Sequence, residues 1–155
     1  MQHSPDLEPA AIRAAHATIH PAFRESPQYV HDGLTALAGA PVIVKVETVN
    51  PIRSFKGRGT EAVLAALAPR PAAVVTASSG NFGQGVAWAA RRRGIAATVF
   101  APADANPLKV AAMQRLGASV HLVERGRDVV HRQRRDERRE EALDALELPL
   151  LVDVN

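Results

Sequence analysis

Cysteine is absent from this sequence, which excludes a disulfide scaffold and thiolate metal sites. Aromatic residues make up only 4%, with one Trp and one Tyr, so no row of rings accompanies the basic residues to stack on bases. No apolar run approaches the roughly 20 residues that cross a bilayer. The N-terminal MQHSPDLEPA has neither the basic nor the apolar region of a signal peptide. These absences predict a cytoplasmic protein with no nucleic-acid partner and no membrane partner. Lysine is scarce too: Lys45, Lys56 and Lys109 are the only lysines among 19 basic residues.

The 155 residues are 46% apolar, enough for a compact domain with a core. The formal net charge of +3 is modest for this size. Arginine concentrates at Arg91 to Arg93 and between Arg125 and Arg139, where Asp128, Asp136, Glu137, Glu140 and Glu141 interleave. Arg132 with Asp136, and Asp136 with Arg139, have the spacing of weak ion pairs on a solvated helix.

Short β-branched runs alternate with helical patterns, the sign of parallel strands joined by crossover helices, so the fold class is α/β. A helix is expected over 9–19, opened by Pro9 and stopped by Pro21. Val42 to Glu47 reads as a buried strand. Further helices are expected over about 60–67, 82–93 and 107–116, with Gly94 and Gly117 closing the last two. Strands are expected over 73–76, 97–101, 119–123 and 150–154, with a charged helix before the last. The sequence stops directly after that strand, which we read as the ending of a fragment or a truncated product.

Two loop-to-helix junctions carry the chemical signal. In NPIRSFKGRGT, Asn50 to Thr60, Lys56 stands at a helix start between Phe55 and two glycines, Gly57 and Gly59, that permit a ligand to approach the backbone. The positive helix end and Arg58 disfavour the ammonium form, which suits an amine that forms imines and shuttles protons. In TASSGNFGQGVAWAA, Thr76 to Ala90, a buried strand runs through Ser78 and Ser79 into a helix. The amides around Gly80 to Phe82 and the helix dipole make a site for a carboxylate or phosphate. The plainer reading is a strand-to-helix turn with Ser79 or Asn81 as N-cap.

The pair of junctions resembles the fold-type II pyridoxal-phosphate enzymes of the threonine dehydratase and serine racemase family. SFKGRG is similar to that family's lysine motif and SSGNFGQG to its S-[SA]-G-N-x-x-Q-G loop, with Lys56 and Ser78 about 22 residues apart. ESPQ, LAGAPVIVKVE, GIAATVFAP and ANPLKVAAMQRLGASV resemble the family's consensus at the corresponding places, so the likeness runs through the chain from about Ile12.

The resemblance implies a three-layer parallel sheet of the tryptophan synthase beta-like type, incomplete at the C-terminus. Residues 1–55 would belong to the large domain and 56–155 to the small α/β domain. It implies pyridoxal 5'-phosphate as cofactor, with Lys56 as the Schiff-base lysine, Phe55 beside the ring and Asn81 on the phenolic oxygen. Ser79, Gly80, Asn81, Phe82 and Gln84 would hold the substrate carboxylate. Ser79 would be a second acid or base on the face opposite Lys56. The implied reaction is β-elimination from a hydroxy-amino acid to a 2-oxoacid and ammonia; racemisation, or a truncated non-catalytic binding or regulatory module, are the alternatives. A small amino-acid substrate and a homo-oligomer in the full-length form follow from the same likeness.

Three departures from the family pattern stand out. Arg53 replaces the frequent Gly before Ser-Phe-Lys, and Phe82 replaces a frequent His. The Gly-rich phosphate cradle has no counterpart in the sequence, and we place it and the pyridine-nitrogen partner beyond Asn155. Gly57 in place of the Asp of threonine and cysteine synthase relatives leans toward the dehydratase and racemase branch. Gly57, Gly59 and Ala62 match the spacing of a dinucleotide turn, but the preceding strand ends too early and Ala77 stands where the ribose-binding acid belongs. His16 and His20 lie four apart, but Ala17 occupies the place of the Glu in a zinc helix, so no metal is expected.

Overall fold

The computed structural model describes residues 8–124 and 150–152. In chain order its elements are α1 (Pro9–Thr18), α2 (Pro21–Arg24), β1 (Gln28–Val30), α3 (Asp32–Ala38), β2 (Ile43–Lys45) and α4 (Lys56–Ala66). They continue with β3 (Ala73–Ala77), α5 (Asn81–Arg93), β4 (Ala96–Pro102), α6 (Pro107–Arg115), β5 (Ser119–Val123) and β6 (Leu150–Val152). The α/β class holds, with the expected parallel sheet: β5, β4, β3 and β6 lie side by side in that order, every neighbouring pair parallel.

Local chemistry sets the helix ends. Asn106 opens α6, its side chain accepting from the Leu108 amide at 2.9 Å, with Pro107 in the first turn. Gly94 closes α5 in the left-handed region, φ 66°, and its amide bonds back to Ala90 and Arg91. Arg91, Arg92 and Arg93 fill the last turn of α5, where the dipole favours positive charge.

The core lies between the sheet and α5. Val74, Val86, Ala87, Ala89, Ala90, Val99, Ala101 and Met113 are all buried. Small residues on α5 allow this close approach. A Cβ on Gly83 would lie 2.5 Å from Met113 Sδ, and one on Gly85 would lie 2.6 Å from Thr60 Oγ1. These glycines seat α5 on α6 and α4; they serve packing, not only the ligand loop.

Several expectations are corrected. The segment 42–47 is not a buried strand of the main sheet. Only Ile43–Lys45 is a strand, it pairs antiparallel with β1, and Ile43 is 65% exposed. β-branched content reports fit to a pleated surface, and burial depends on what covers it. Strand β1 and helices α2 and α3 were not anticipated. Helix α4 begins at Lys56, four residues before the expected start at Thr60, because packing overrides the weak helix preference of Gly57 and Gly59. His20 is the N-cap of α2, its Nδ1 accepting from the Ala22 amide at 3.1 Å. The charged helix expected after β5 lies outside the described residues. Among the described residues, no helix is long and apolar enough to cross a membrane.

Candidate active site

From β3 the chain steps outward through β4 to β5, and β6 then adds on the other side of β3. The connections diverge at the carboxyl end of β3, and open parallel sheets bind ligands in the crevice at such a point. There Ala77 gives way to Ser78, Ser79 and Gly80 before α5 begins at Asn81.

Ser78 organises this turn. Its buried Oγ accepts from the Gly83 amide at 2.9 Å and the Gly80 amide at 3.3 Å. The capping side chain is therefore Ser78, not Ser79 or Asn81. Among the described residues the amides of Ser79, Asn81 and Phe82 have no intrachain acceptor, and the exposed Ser79 hydroxyl has no partner. The turn thus presents donors at the positive end of a helix of 13 residues. Gly80 is extended, φ −169°, and a Cβ there would meet nothing within 4 Å, so its surroundings are open.

The lysine loop is built around Asn50, which is buried. Its Oδ1 accepts from the amides of Ile52 and Ser54, both at 3.2 Å, and its Nδ2 donates to Glu47 Oε2 at 2.8 Å and the Ser54 carbonyl at 2.9 Å. Ser54 Oγ then accepts from the Lys56 amide at 3.3 Å, linking this network to the first turn of α4. Arg53 takes the left-handed conformation, φ 54°, which explains the frequent Gly of the resembling family: only glycine adopts it without strain. The Arg58 guanidinium is turned to Glu47, with Nη1 at 3.1 Å from Oε1, an ion pair too poorly angled to count as a hydrogen bond.

The two junctions meet. Lys56 Nζ lies 5.9 Å from the centroid of the Phe82 ring, joining the first turn of α4 to the first turn of α5. A buried ion pair holds the two helices in register: Glu61 on α4, 2% exposed, meets Arg93 on α5 at 2.6 Å and also accepts from the His20 amide at 3.3 Å. Gly57 lies where a Cβ would fall 2.2 Å from the Phe23 ring, so this glycine packs on an aromatic and does not open space for a ligand. A Cβ on Gly59 would meet no atom within 4 Å beyond its own helix turn.

Ser79, Gly80, Asn81, Phe82 and Gln84 therefore share the start of α5 with Lys56 beside them. Phe55 stands next to Lys56 and is 61% exposed. Gln84 is buried and its Nε2 donates to Asn81 Oδ1 at 3.3 Å, which aims it at Asn81. Sequence reasoning missed the scaffolding roles of Asn50, Ser78 and Glu61, and missed Lys109, whose Nζ donates to Asn81 Oδ1 at 2.5 Å. A lysine in the first turn of a helix was the available signal for Lys109, since the dipole there opposes positive charge.

A lysine amine and a donor-rich helix start at the divergence point of a parallel sheet can together receive an anionic ligand that reacts with an amine. The chain belongs to the family of pyridoxal-phosphate dependent enzymes, whose model matches residues 19–149. An L-threo-3-hydroxyaspartate ammonia-lyase from a Pseudomonas species is 41% identical over 102 residues, 64% of this chain and 32% of that protein. A phenylserine dehydratase from Ralstonia pickettii is 37% identical over 133 residues, 83% of this chain and 40% of that protein. The crystal structure of serine racemase from Dictyostelium discoideum superposes with a TM-score of 0.72 at 26% identity, over 91% of this chain and 45% of that one. The solved structures it resembles have the fold-type II architecture. The chain spans 40% or less of the first curated relatives it matches.

Family membership implies pyridoxal 5'-phosphate as the cofactor. The donor set fits an aldehyde-bearing anion. Lys56 is the lysine at the donor-rich turn, its Nζ over the ring of Phe82, whereas Lys45 lies against the carbonyls of Arg24 and Ser26, both at 2.9 Å, away from that turn.

Proposed function

We propose that this chain supplies the lysine and the carboxylate-binding turn of a pyridoxal-phosphate dependent ammonia-lyase acting on hydroxy-amino acids. The observation that carries the proposal is the meeting of Lys56 with the Ser79 to Phe82 turn, marked by the 5.9 Å approach of Lys56 Nζ to Phe82. Relatives named for hydroxyaspartate, phenylserine and threonine support the substrate class.

Lys56 would hold the cofactor through its amine, with Phe55 and Asn81 beside it. The amides of Ser79, Asn81 and Phe82, with the open backbone at Gly80, would bind and orient the substrate carboxylate. The cofactor, when bound, supplies an electron sink for the pair left at the substrate's Cα. With the carboxylate held and the substrate's amine in the lysine's place on the cofactor, the released Lys56 Nζ would take the Cα proton and return it to the departing β-hydroxyl. Gln84, which donates to Asn81 Oδ1, would brace the Asn81 side chain beside the carboxylate site.

A second reading, racemisation, is favoured by Ser79. Its exposed hydroxyl is unengaged among the described residues and is available as an acid or base. The experiment measures oxoacid release and deuterium incorporation at Cα, in the polypeptide that carries this chain, with serine, threonine and 3-hydroxyaspartate. Oxoacid release abolished in Lys56→Ala supports the lyase. Exchange without release, lost first in Ser79→Ala, assigns the racemase. No turnover of either kind with the cofactor bound overturns both in favour of a non-catalytic module.

A further inference from the structure

Lys109 occupies the third position of α6, in a first turn where the dipole disfavours a cation. It is half-buried, and among the described residues no carboxylate pairs with it. Its ammonium instead donates to Asn81 Oδ1 at 2.5 Å, across 28 residues of chain. The Gln84 amide donates to the same oxygen at 3.3 Å. An ammonium has no acceptor, so the atom it meets must be the carbonyl oxygen of the Asn81 amide. That contact settles which way the amide faces. The Asn81 Nδ2, left without a partner among the described residues, is turned away from Lys109.

We propose that Lys109 is a positioning residue that fixes and polarises the Asn81 amide, so that its Nδ2–H donates to the phenolic oxygen of the cofactor. The inference rests on the cofactor-binding reading of Asn81 given above. A donor chain that begins on a cation strengthens each later bond, so Nδ2 becomes a stronger donor than an ordinary amide. A stronger donor favours the deprotonated phenolic oxygen. Asn106 and Pro107 hold the first turn of α6 from which Lys109 reaches, so the device is anchored on rigid backbone.

The test begins without cofactor. In nitrogen-15 spectra of the chain, the side-chain amide pair of Asn81, identified by its loss in Asn81→Ser, moves in Lys109→Met and stays near its wild-type position in Lys109→Arg. The pairs of Asn50 and Asn106 stay fixed and report that the fold survives. In the polypeptide that carries this chain, with saturating pyridoxal phosphate, the ratio of the visible band of the lysine-linked cofactor to its near-ultraviolet, phenol-protonated band falls about tenfold in Lys109→Met, the effect of one charge-assisted hydrogen bond. Asn81→Asp keeps an acceptor for Lys109 and removes the donor, so it keeps the thermal midpoint while the band ratio falls. A role in folding alone would move the midpoint and leave the ratio. An unmoved Asn81 pair in Lys109→Met, or an unmoved band ratio, overturns the inference. Failure of the cofactor to attach at Lys56 in the wild-type polypeptide that carries this chain instead brings down the cofactor reading and the part of this inference that faces it, while the ligand-free spectra still decide whether Lys109 sets the amide.

Discussion

Gly57 and Gly59 lie two residues apart in the first turns of α4, and alanine substitution there has opposite effects. At Gly57 the new methyl carbon would fall 2.2 Å from Phe23 Cε1 and 2.6 Å from Cδ1 and Cζ. Carbons in contact sit about 3.5–4.0 Å apart, so the ring or the helix must move by about 1 Å or more. The ring has no room to retreat: Phe23 is fully buried and meets Trp88 edge-on at 4.7 Å. Overpacking of this kind costs about 1–3 kcal/mol, against a helix-propensity gain of about 1 kcal/mol or less at a helix start. The net effect of Gly57→Ala is a loss of about 1–2 kcal/mol, read as a lower urea midpoint at unchanged slope. Gly59→Ala meets nothing within 4 Å and gains about 0.5–1 kcal/mol. Phe23→Leu shortens the opposing side chain, so the double variant with Gly57→Ala should lose less than the two single variants together, by about 1 kcal/mol or more. Equal effects of Gly57→Ala and Gly59→Ala, or strict additivity with Phe23→Leu, would refute the packing role of Gly57 and restore a ligand-clearance role.

Arg53→Gly should stabilise the chain by about 1 kcal/mol by relieving the left-handed conformation at φ 54°, measured by chemical denaturation; destabilisation would mean that the arginine side chain makes a contact worth more than the strain. Ser78→Ala removes the acceptor for the Gly80 and Gly83 amides and should cost about 1 kcal/mol, whereas Ser79→Ala should leave stability unchanged and alter only chemistry at the turn. Glu61→Ala strands Arg93 in a half-buried position and removes the link between α4 and α5, a loss of about 3–5 kcal/mol that Arg93→Lys should reproduce only in part; a thermal midpoint unmoved in Glu61→Ala would contradict that link.

The chemistry was more legible in the sequence than the scaffold. Short β-branched runs and the caps at Gly94 and Asn106 follow local rules, and the α/β class and the parallel sheet could be read from them. SFKGRG and SSGNFGQG pointed to two junctions that the structure brings together at Lys56 and Phe82. The supports are long-range: Glu61 pairs with Arg93 across 32 residues and Lys109 reaches Asn81 across 28, and no local pattern records such separations. Gly57 misled for a related reason. A glycine beside a reactive lysine has the same sequence signature whether it clears space for a ligand or for Phe23. Ile43 misled because strand propensity is blind to whether a second layer covers the strand.

The central claim is that Lys56, of the three lysines in the chain, is the amine that takes the cofactor. Borohydride reduction of the polypeptide that carries this chain, in the presence of pyridoxal phosphate, fixes the imine permanently, and peptide mapping then reads where the label sits. The account predicts the label on Lys56, at the donor-rich turn beside Phe82, suppressed in Lys56→Ala without transfer to Lys45 or Lys109. Label spread evenly over the three lysines, or concentrated on Lys45 or Lys109, would contradict it.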